Sequence, residues 1–177
     1  MANNTFYFLR HGETKLDSSI PVSKWILSEK GIMKVKKLAD SNIFSDIDII
    51  ICSGEEKAYQ TVKPIADVLG KEIIPIDELS ELDRDEGRFM GPEQYENVVK
   101  ECLAHREKSF SNWETANSAL GRFSKKVEEL NSSYEDKKIL IGGHAYTINL
   151  YFAKLLNQLD DVYARLQKNT FCDWGII

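Results

Sequence analysis

The stretch "FYFLRHGET", residues 6–14, runs from an apolar, strand-like segment straight into arginine, histidine, glycine and glutamate. A strand that only has to end would close in a neutral turn, so a guanidinium and an imidazole at its carboxyl tip point to chemistry. The glycine after the histidine permits a tight turn and a close approach of backbone N–H groups to a ligand. Taken alone, the tripeptide is equally an ordinary strand exit, and the rest of the chain decides between the two.

Besides residues 5–10, three apolar runs at 47–52, 72–76 and 138–142 read as buried strands. Between them Ile32, Val35, Leu38 and Ala39 recur at helical spacing behind Ser28, a serine placed to start a helix. Ala58, Val62, Ile65, Ala66 and Leu69 form a second apolar stripe that Gly70 is placed to cap, and Ala119, Phe123, Val127 and Leu130 form a third. The last nine residues, "NTFCDWGII", read as a short closing strand. Strands alternating with helices predict a three-layer α/β/α sandwich with a mostly parallel central sheet. Ligands of such sheets bind outside the carboxyl ends of the strands. Arg10 and His11 stand at that end of the first strand, and "ILIGGHAYT", residues 139–147, puts His144 at the same end of the fourth. The segment 77–118 breaks the alternation, first acidic and then helical, and is expected to form a lid over that mouth.

The chain has 177 residues, 42% of them hydrophobic and 29% charged, which predicts one soluble domain over residues 1–177 with the 77–118 insertion inside it. A net charge of −5 argues against nucleic acid or an anionic membrane as the main partner, while leaving room for a small anion in a local cationic pocket. Cys52, Cys102 and Cys172 have no metal-ligand spacing and are odd in number, so a reducing, cytoplasmic setting is expected. No signal peptide and no membrane span is read from the sequence. Trp25 and Trp174 are expected in the core, the alternative being a subunit interface, and nothing in the sequence sets an oligomeric state.

Six stretches, in this order and approximate spacing, resemble the histidine phosphatase superfamily, which includes the phosphoglycerate mutases and many small phosphatases. They are "LRHGET" (9–14), "WILSEKG" (25–31), "CSGEEKAYQT" (52–61), "ELSELDR" (78–84), "WETANSALGRF" (113–123) and "GGHAYT" (142–147). The resemblance implies a phosphoglycerate mutase-like fold and transfer of a phosphoryl group onto a histidine and then to water or another acceptor, with no metal or other cofactor. Such chemistry needs a nucleophile, cations for the phosphoryl oxygens and an acid for the leaving oxygen. By the resemblance His11 is the nucleophile, Arg10 a phosphate clamp, and His144 both a phosphate ligand and a donor to the transferring group.

Lys57 stands where relatives commonly carry an arginine, keeping the charge but losing the bidentate fork. The plainer reading of Lys57 is a solvated residue of the first helical turn, although a cation there is poorly placed for the helix dipole unless an anion is near. Glu81 matches the family's proton donor, with Glu78 and Glu86 as rivals, and any of these carboxylates could instead belong to a solvated acidic loop. Asp17 would repel phosphate and is left outside the site, while Trp113 and Ala145 replace glycines common in relatives. His105 and the lysines of "KVKKLAD" (34–40) read as helix surface. The expected activity is metal-independent phosphomonoester hydrolysis through a phosphohistidine, on a small phosphorylated metabolite or a phosphoprotein. Hydrolysis is preferred because the short chain leaves little material for the extra segments of the mutases. The alternatives are phosphoglycerate mutase-type transfer and a phosphate-binding regulatory module without turnover.

Overall fold

The computed structural model describes residues 3–87 and 89–177. Along the chain run β1 (Thr5–Arg10), α1 (Glu29–Asp40), β2 (Ile49–Ser53), α2 (Glu56–Leu69), β3 (Ile73–Ile76), α3 (Pro92–Ala104), α4 (Ala116–Ser133), β4 (Lys138–Gly143), α5 (Ala145–Leu155), α6 (Val162–Lys168) and β5 (Trp174–Ile176). The strands form one sheet in the order β3-β2-β4-β1-β5, with only the closing strand antiparallel. The fold is therefore the α/β sandwich with a mostly parallel sheet.

Period-two alternation divides the core. Phe6, Phe8, Ile139 and Ile141 face one layer with Phe123 and Val127 of α4 and Leu150 of α5. Leu9, Ile50, Cys52 and Leu140 face the other with Val35 of α1 and Val62 and Ile65 of α2. Helices thus cover both faces, and the crevice opens where β1 and β4, whose following helices lie on opposite faces, run side by side. Their register pairs Arg10 with Gly143, so the next residue of each strand is a histidine, and the His11 N–H donates to the Gly143 carbonyl at 2.9 Å.

The expected caps are in place. The Ser28 side chain accepts from the Gly31 N–H, and Gly70 closes α2 with φ at 62°, in the left-handed region that favours glycine. Two of the expected burials are corrected. Ile32 is 40% exposed, because the start of α1 faces the turn after β1 with Gly31 instead, where a Cβ would stand 2.2 Å from the Glu13 carbonyl oxygen. Trp174 is 41% exposed, because β5 forms the sheet's outer edge, and Trp25 is partly buried with its indole N–H donating to the Asp17 carbonyl. None of the described helices is long and apolar enough to cross a membrane.

Candidate active site

The opening tripeptide is held by what surrounds it. Gly12 donates its N–H to Thr61 Oγ1 at 3.0 Å, and Gln60 Oε1 accepts from the Leu27 N–H at 2.9 Å, so the "QT" of α2 fixes the turn after β1 and the loop that returns beside it. Glu13 accepts from both the Ser28 hydroxyl and the Ser28 N–H, tying the same turn to the N-terminus of α1.

His11 is buried, with Nδ1 2.8 Å from the Gly12 carbonyl oxygen. A carbonyl only accepts, so the proton sits on Nδ1 and Nε2 keeps its lone pair. Burial, then the neighbouring His144 ring, Lys57 and Arg10, push the His11 pKa well below the ordinary 6.5, outweighing the opposing Gly12 hydrogen bond. The imidazole is therefore neutral and nucleophilic at neutral pH. The ring centroids of His11 and His144 lie 5.3 Å apart.

His144 is fully buried at the N-cap of α5, and its pKa is likewise well below the ordinary value, through burial first and then Lys57, Arg84, Arg122 and Arg10. Its Nε2 lies 2.6 Å from Ser53 Oγ. That hydroxyl also accepts from the Glu55 N–H at 3.3 Å, and when it donates its one proton to Nε2, His144 carries its own on Nδ1. Nδ1 is buried and has no hydrogen-bond partner in the protein.

Arg10 donates from Nη1 to the Asn169 carbonyl at 2.6 Å and to Asn169 Oδ1 at 3.0 Å, and its guanidinium lies 4.5 Å from the Phe171 ring centroid. Its Nε is buried without a partner. Arg10, His11, Lys57 and Glu81 all line one cavity of about 460 Å³.

Lys57 corrects the solvated reading, since it is 2% exposed, and it also departs from a free phosphate cation. Its ammonium donates to the Val22 carbonyl at 2.8 Å and forms an ion pair with Glu55. Glu55 is itself buried, accepts from the Glu81 N–H at 2.7 Å, and holds an oxygen 3.4 Å from His144 Nε2. The anion that a first-turn lysine implies is thus supplied by the chain two residues earlier.

Of the three candidate acids only Glu81 reaches the cavity. Glu78 is exposed and paired with Lys126, and Glu86 is exposed. Glu81 accepts from the N–H groups of Leu82, Tyr146 and Thr147, the last two opening α5. Burial pushes its pKa up and nearby Glu55 adds to this, against the opposing pull of Arg84 and the backbone N–H groups. Its backbone is fixed by Arg122, whose guanidinium donates to the carbonyls of Glu78, Ser80 and Glu81 while paired with Glu114.

Several expectations of position are met. Asp17 accepts from Ser19 and does not line the cavity, and His105 is exposed at the end of α3 beside Glu101. Trp113 is buried against Arg84, and Ala145 sits in the cavity wall. Glu55, Arg84 and Arg122 are the residues that sequence reasoning missed. The two acidic residues of "SGEEKA" and the arginine of "LGRF" lie inside the quoted motifs, but neither motif says which way a side chain turns. Among the described residues, no group of three or more His, Cys, Asp or Glu side chains is arranged to hold a metal ion.

The family profile described as the histidine phosphatase superfamily, branch 1, matches residues 6–172. The chain belongs to that superfamily. No curated protein matches it by sequence. Among solved structures it is similar to a mycobacterial glucosyl-3-phosphoglycerate phosphatase, with 18% identity, a TM-score of 0.79 and coverage of 97% of this chain and 88% of that one. It is also similar to a mutant phosphoserine phosphatase from Entamoeba histolytica in complex with phosphoserine, with 19% identity, a TM-score of 0.80 and coverage of 98% and 89%. The family match supports a phosphatase enzyme, and these neighbours share its fold.

Proposed function

We propose that the protein is a phosphomonoesterase that works without a metal, through a phosphohistidine at His11, on a small phosphorylated metabolite in the cytoplasm. The observation that carries this reading is the state of His11: its Nδ1–H is anchored on the Gly12 carbonyl, its Nε2 is free, and burial beside cations keeps it unprotonated. Nε2 attacks phosphorus as the bond to the leaving oxygen breaks, and Glu81 gives that oxygen its proton. A water then attacks the phosphohistidine, Glu81 takes the water's proton, and the P–N bond breaks to return neutral His11 and inorganic phosphate. Arg10 and the Nδ1–H of His144 hold the phosphoryl oxygens in this scheme. Hydrolysis is favoured over mutase-type transfer because the neighbours named above are phosphatases. The three free, buried cysteines favour a reducing compartment.

We also place residues 77–118 as a lid insertion within a single domain over 1–177. Tyr95 and Val99 of α3 stand in the cavity wall, together with Glu81 and Arg84 from the preceding loop. A lid that narrows the mouth favours small metabolites over phosphoproteins.

The Glu55–Lys57 pair favours a second reading, a phosphate-binding module without turnover, because it engages one of the cavity's cations. Release of phosphate from a generic aryl phosphate between acidic and neutral pH, with and without chelator, separates the two. Turnover untouched by chelator is expected. Its absence at every pH would favour the module, and loss in chelator reversed by a divalent cation would contradict the metal-free scheme.

Lys57 and Glu55 give a paired prediction. Removing the carboxylate charge by Glu55→Gln frees the ammonium for a phosphoryl oxygen, and an amide oxygen can still accept from the Glu81 N–H. Inhibition by inorganic phosphate or vanadate is expected to tighten by about ten-fold, in line with a charge-assisted hydrogen bond of roughly 1.5–3 kcal/mol. Lys57→Ala is expected to weaken it by about as much, since it leaves the Glu55 charge unpaired near the phosphate, whereas Lys57→Arg should keep it. Inhibition constants within two-fold of wild type for both Glu55→Gln and Lys57→Ala would place the pair outside phosphate binding.

A further inference from the structure

The closing stretch "NTFCDWGII" does more than end the sheet. Asn169 is the C-cap of α6, and its backbone turns extended there, so its carbonyl has no partner within the helix. Arg10 Nη1 donates to that carbonyl at 2.6 Å and to Asn169 Oδ1 at 3.0 Å. A guanidinium only donates and a carboxylate only accepts, which sets the amide: Oδ1 faces Arg10, and Nδ2 lies 3.4 Å from Asp173 Oδ2. Asp173 is anchored in turn by the N–H and the hydroxyl of Thr170. From the same turn the Asp173 carbonyl accepts from the Arg10 N–H at 2.9 Å, and the Cys172 N–H donates to the His11 carbonyl at 3.3 Å. With Nη1 taken, the edge of the guanidinium formed by Nε and Nη2 is left over. Nε is buried without a partner, and among the described residues Nη2 makes no hydrogen bond. The groups that hold the guanidinium are a carbonyl, an amide and the Phe171 ring, all uncharged. Glu81 and Asp173 act on its charge only from a distance, whereas the Lys57 ammonium is paired directly with Glu55.

We propose that Asn169 is a positioning residue for the phosphoryl site: it fixes the plane of Arg10 through uncharged acceptors, so that the Nε–Nη2 edge meets two phosphoryl oxygens with its charge uncancelled. This rests on the reading of Arg10 as a phosphate clamp. Bidentate contact needs the fork held in one plane and one direction, which two acceptors on Nη1 and a ring against its face provide. The kind of acceptor matters as much as its presence. A carboxylate in place of the amide would accept from Nη1 equally well, but it would pair with the cation and stand close to the incoming dianion. An alanine would leave the backbone carbonyl and the ring while letting the fork turn. The amide is the side chain that orients the arginine and leaves its charge to the ligand.

The test is the binding of inorganic phosphate, measured by calorimetry at neutral pH, which needs no turnover and reads affinity apart from the fraction of competent protein. A role in folding alone would change that fraction and leave the affinity of the folded protein as it was. Asn169→Ala is expected to weaken phosphate by about three- to ten-fold, and Asn169→Asp by about thirty-fold or more although it keeps the acceptor. The new carboxylate would also face Asp173, so Asn169→Asp is made a second time together with Asp173→Asn, which keeps the number of carboxylates and a donor–acceptor pair between the two side chains. The larger loss should persist in that double variant. Affinities within about two-fold of wild type in both single variants would overturn the assignment. So would a loss in Asn169→Asp no larger than in Asn169→Ala, or one that disappears when Asp173→Asn is added. A wild type that binds no phosphate would overturn the reading of Arg10 as a clamp and this inference with it, whereas a wild type that binds phosphate beside unaffected variants would overturn the inference alone.

Discussion

Turnover of every phosphomonoester should vanish in His11→Ala, a loss on the order of 10⁴-fold or more, because no neighbouring group replaces the nucleophile. His144 offers no substitute, since its Nε2 is engaged with Ser53. Wild-type protein quenched in acid during turnover and then made basic should carry base-stable, acid-labile phosphate, and His11→Ala should carry none. Appreciable activity in the variant would refute the phosphohistidine scheme. A second readout needs no substrate. Both site histidines have pKa values well below 6.5 in the fold, so below that pH the unfolded chain binds protons that the folded chain does not. Stability is therefore fully present above about pH 6.5 and falls as the pH drops through it, by up to about 1.4 kcal/mol per pH unit for each histidine. Denaturant unfolding of His11→Ala should show one histidine's share less of that slope.

The layers of the fold were legible because each strand alternates cleanly and each helix carries a single apolar stripe. Phe6 and Phe8 against Leu9, or Ile139 and Ile141 against Leu140, are enough to require cover on both faces. Ile32 and Trp174 misled for a shared reason: burial depends on what lies opposite, and periodicity says nothing of a helix start pressed onto a turn or of a strand left at a sheet edge. The turn itself explains why an apolar strand ends in Arg-His-Gly-Glu. The register of β1 and β4 aims both histidines at one crevice, while Gly12 and Glu13 are bound by Thr61 and Ser28.

The site was legible where a motif carries its role in its backbone, as His11 does, and obscure where the role depends on a side chain's partner. Lys57 reads as a phosphate ligand or a surface residue, and it is a buried ion pair because Glu55, two residues before it, turns inward. Among Glu78, Glu81 and Glu86 the resemblance prefers Glu81 but leaves the other two as rivals. In the fold Arg122 clamps the carbonyls of 78, 80 and 81, and of the three only Glu81 turns in beneath α5.

Glu81→Gln should slow hydrolysis of an alkyl phosphate by about 10²–10⁴-fold and of an activated aryl phosphate far less, because only the poor leaving group needs a proton as its bond to phosphorus breaks. The amide oxygen can keep the Leu82 and Thr147 N–H groups that meet Oε1, at the cost of the Tyr146 N–H that meets Oε2, so most of the local structure is kept while the proton is lost. In the free protein these donors favour the ionised form and burial opposes them, with the net shift upward. A bound phosphate dianion adds a like charge and raises the proton affinity of Glu81 further, so the acid form is populated where it is needed. Alkyl phosphate kcat should therefore fall as pH rises through the Glu81 pKa of the complex, and that alkaline limb should be absent in Glu81→Gln. In kcat/KM, which reports the free protein, protonation of His11 is expected to cause no loss as the pH falls through the ordinary histidine value of 6.5, because His11 stays neutral there. An equal loss on alkyl and aryl substrates, with the alkaline limb retained, would take the proton away from Glu81 and leave it a purely structural acceptor at the start of α5.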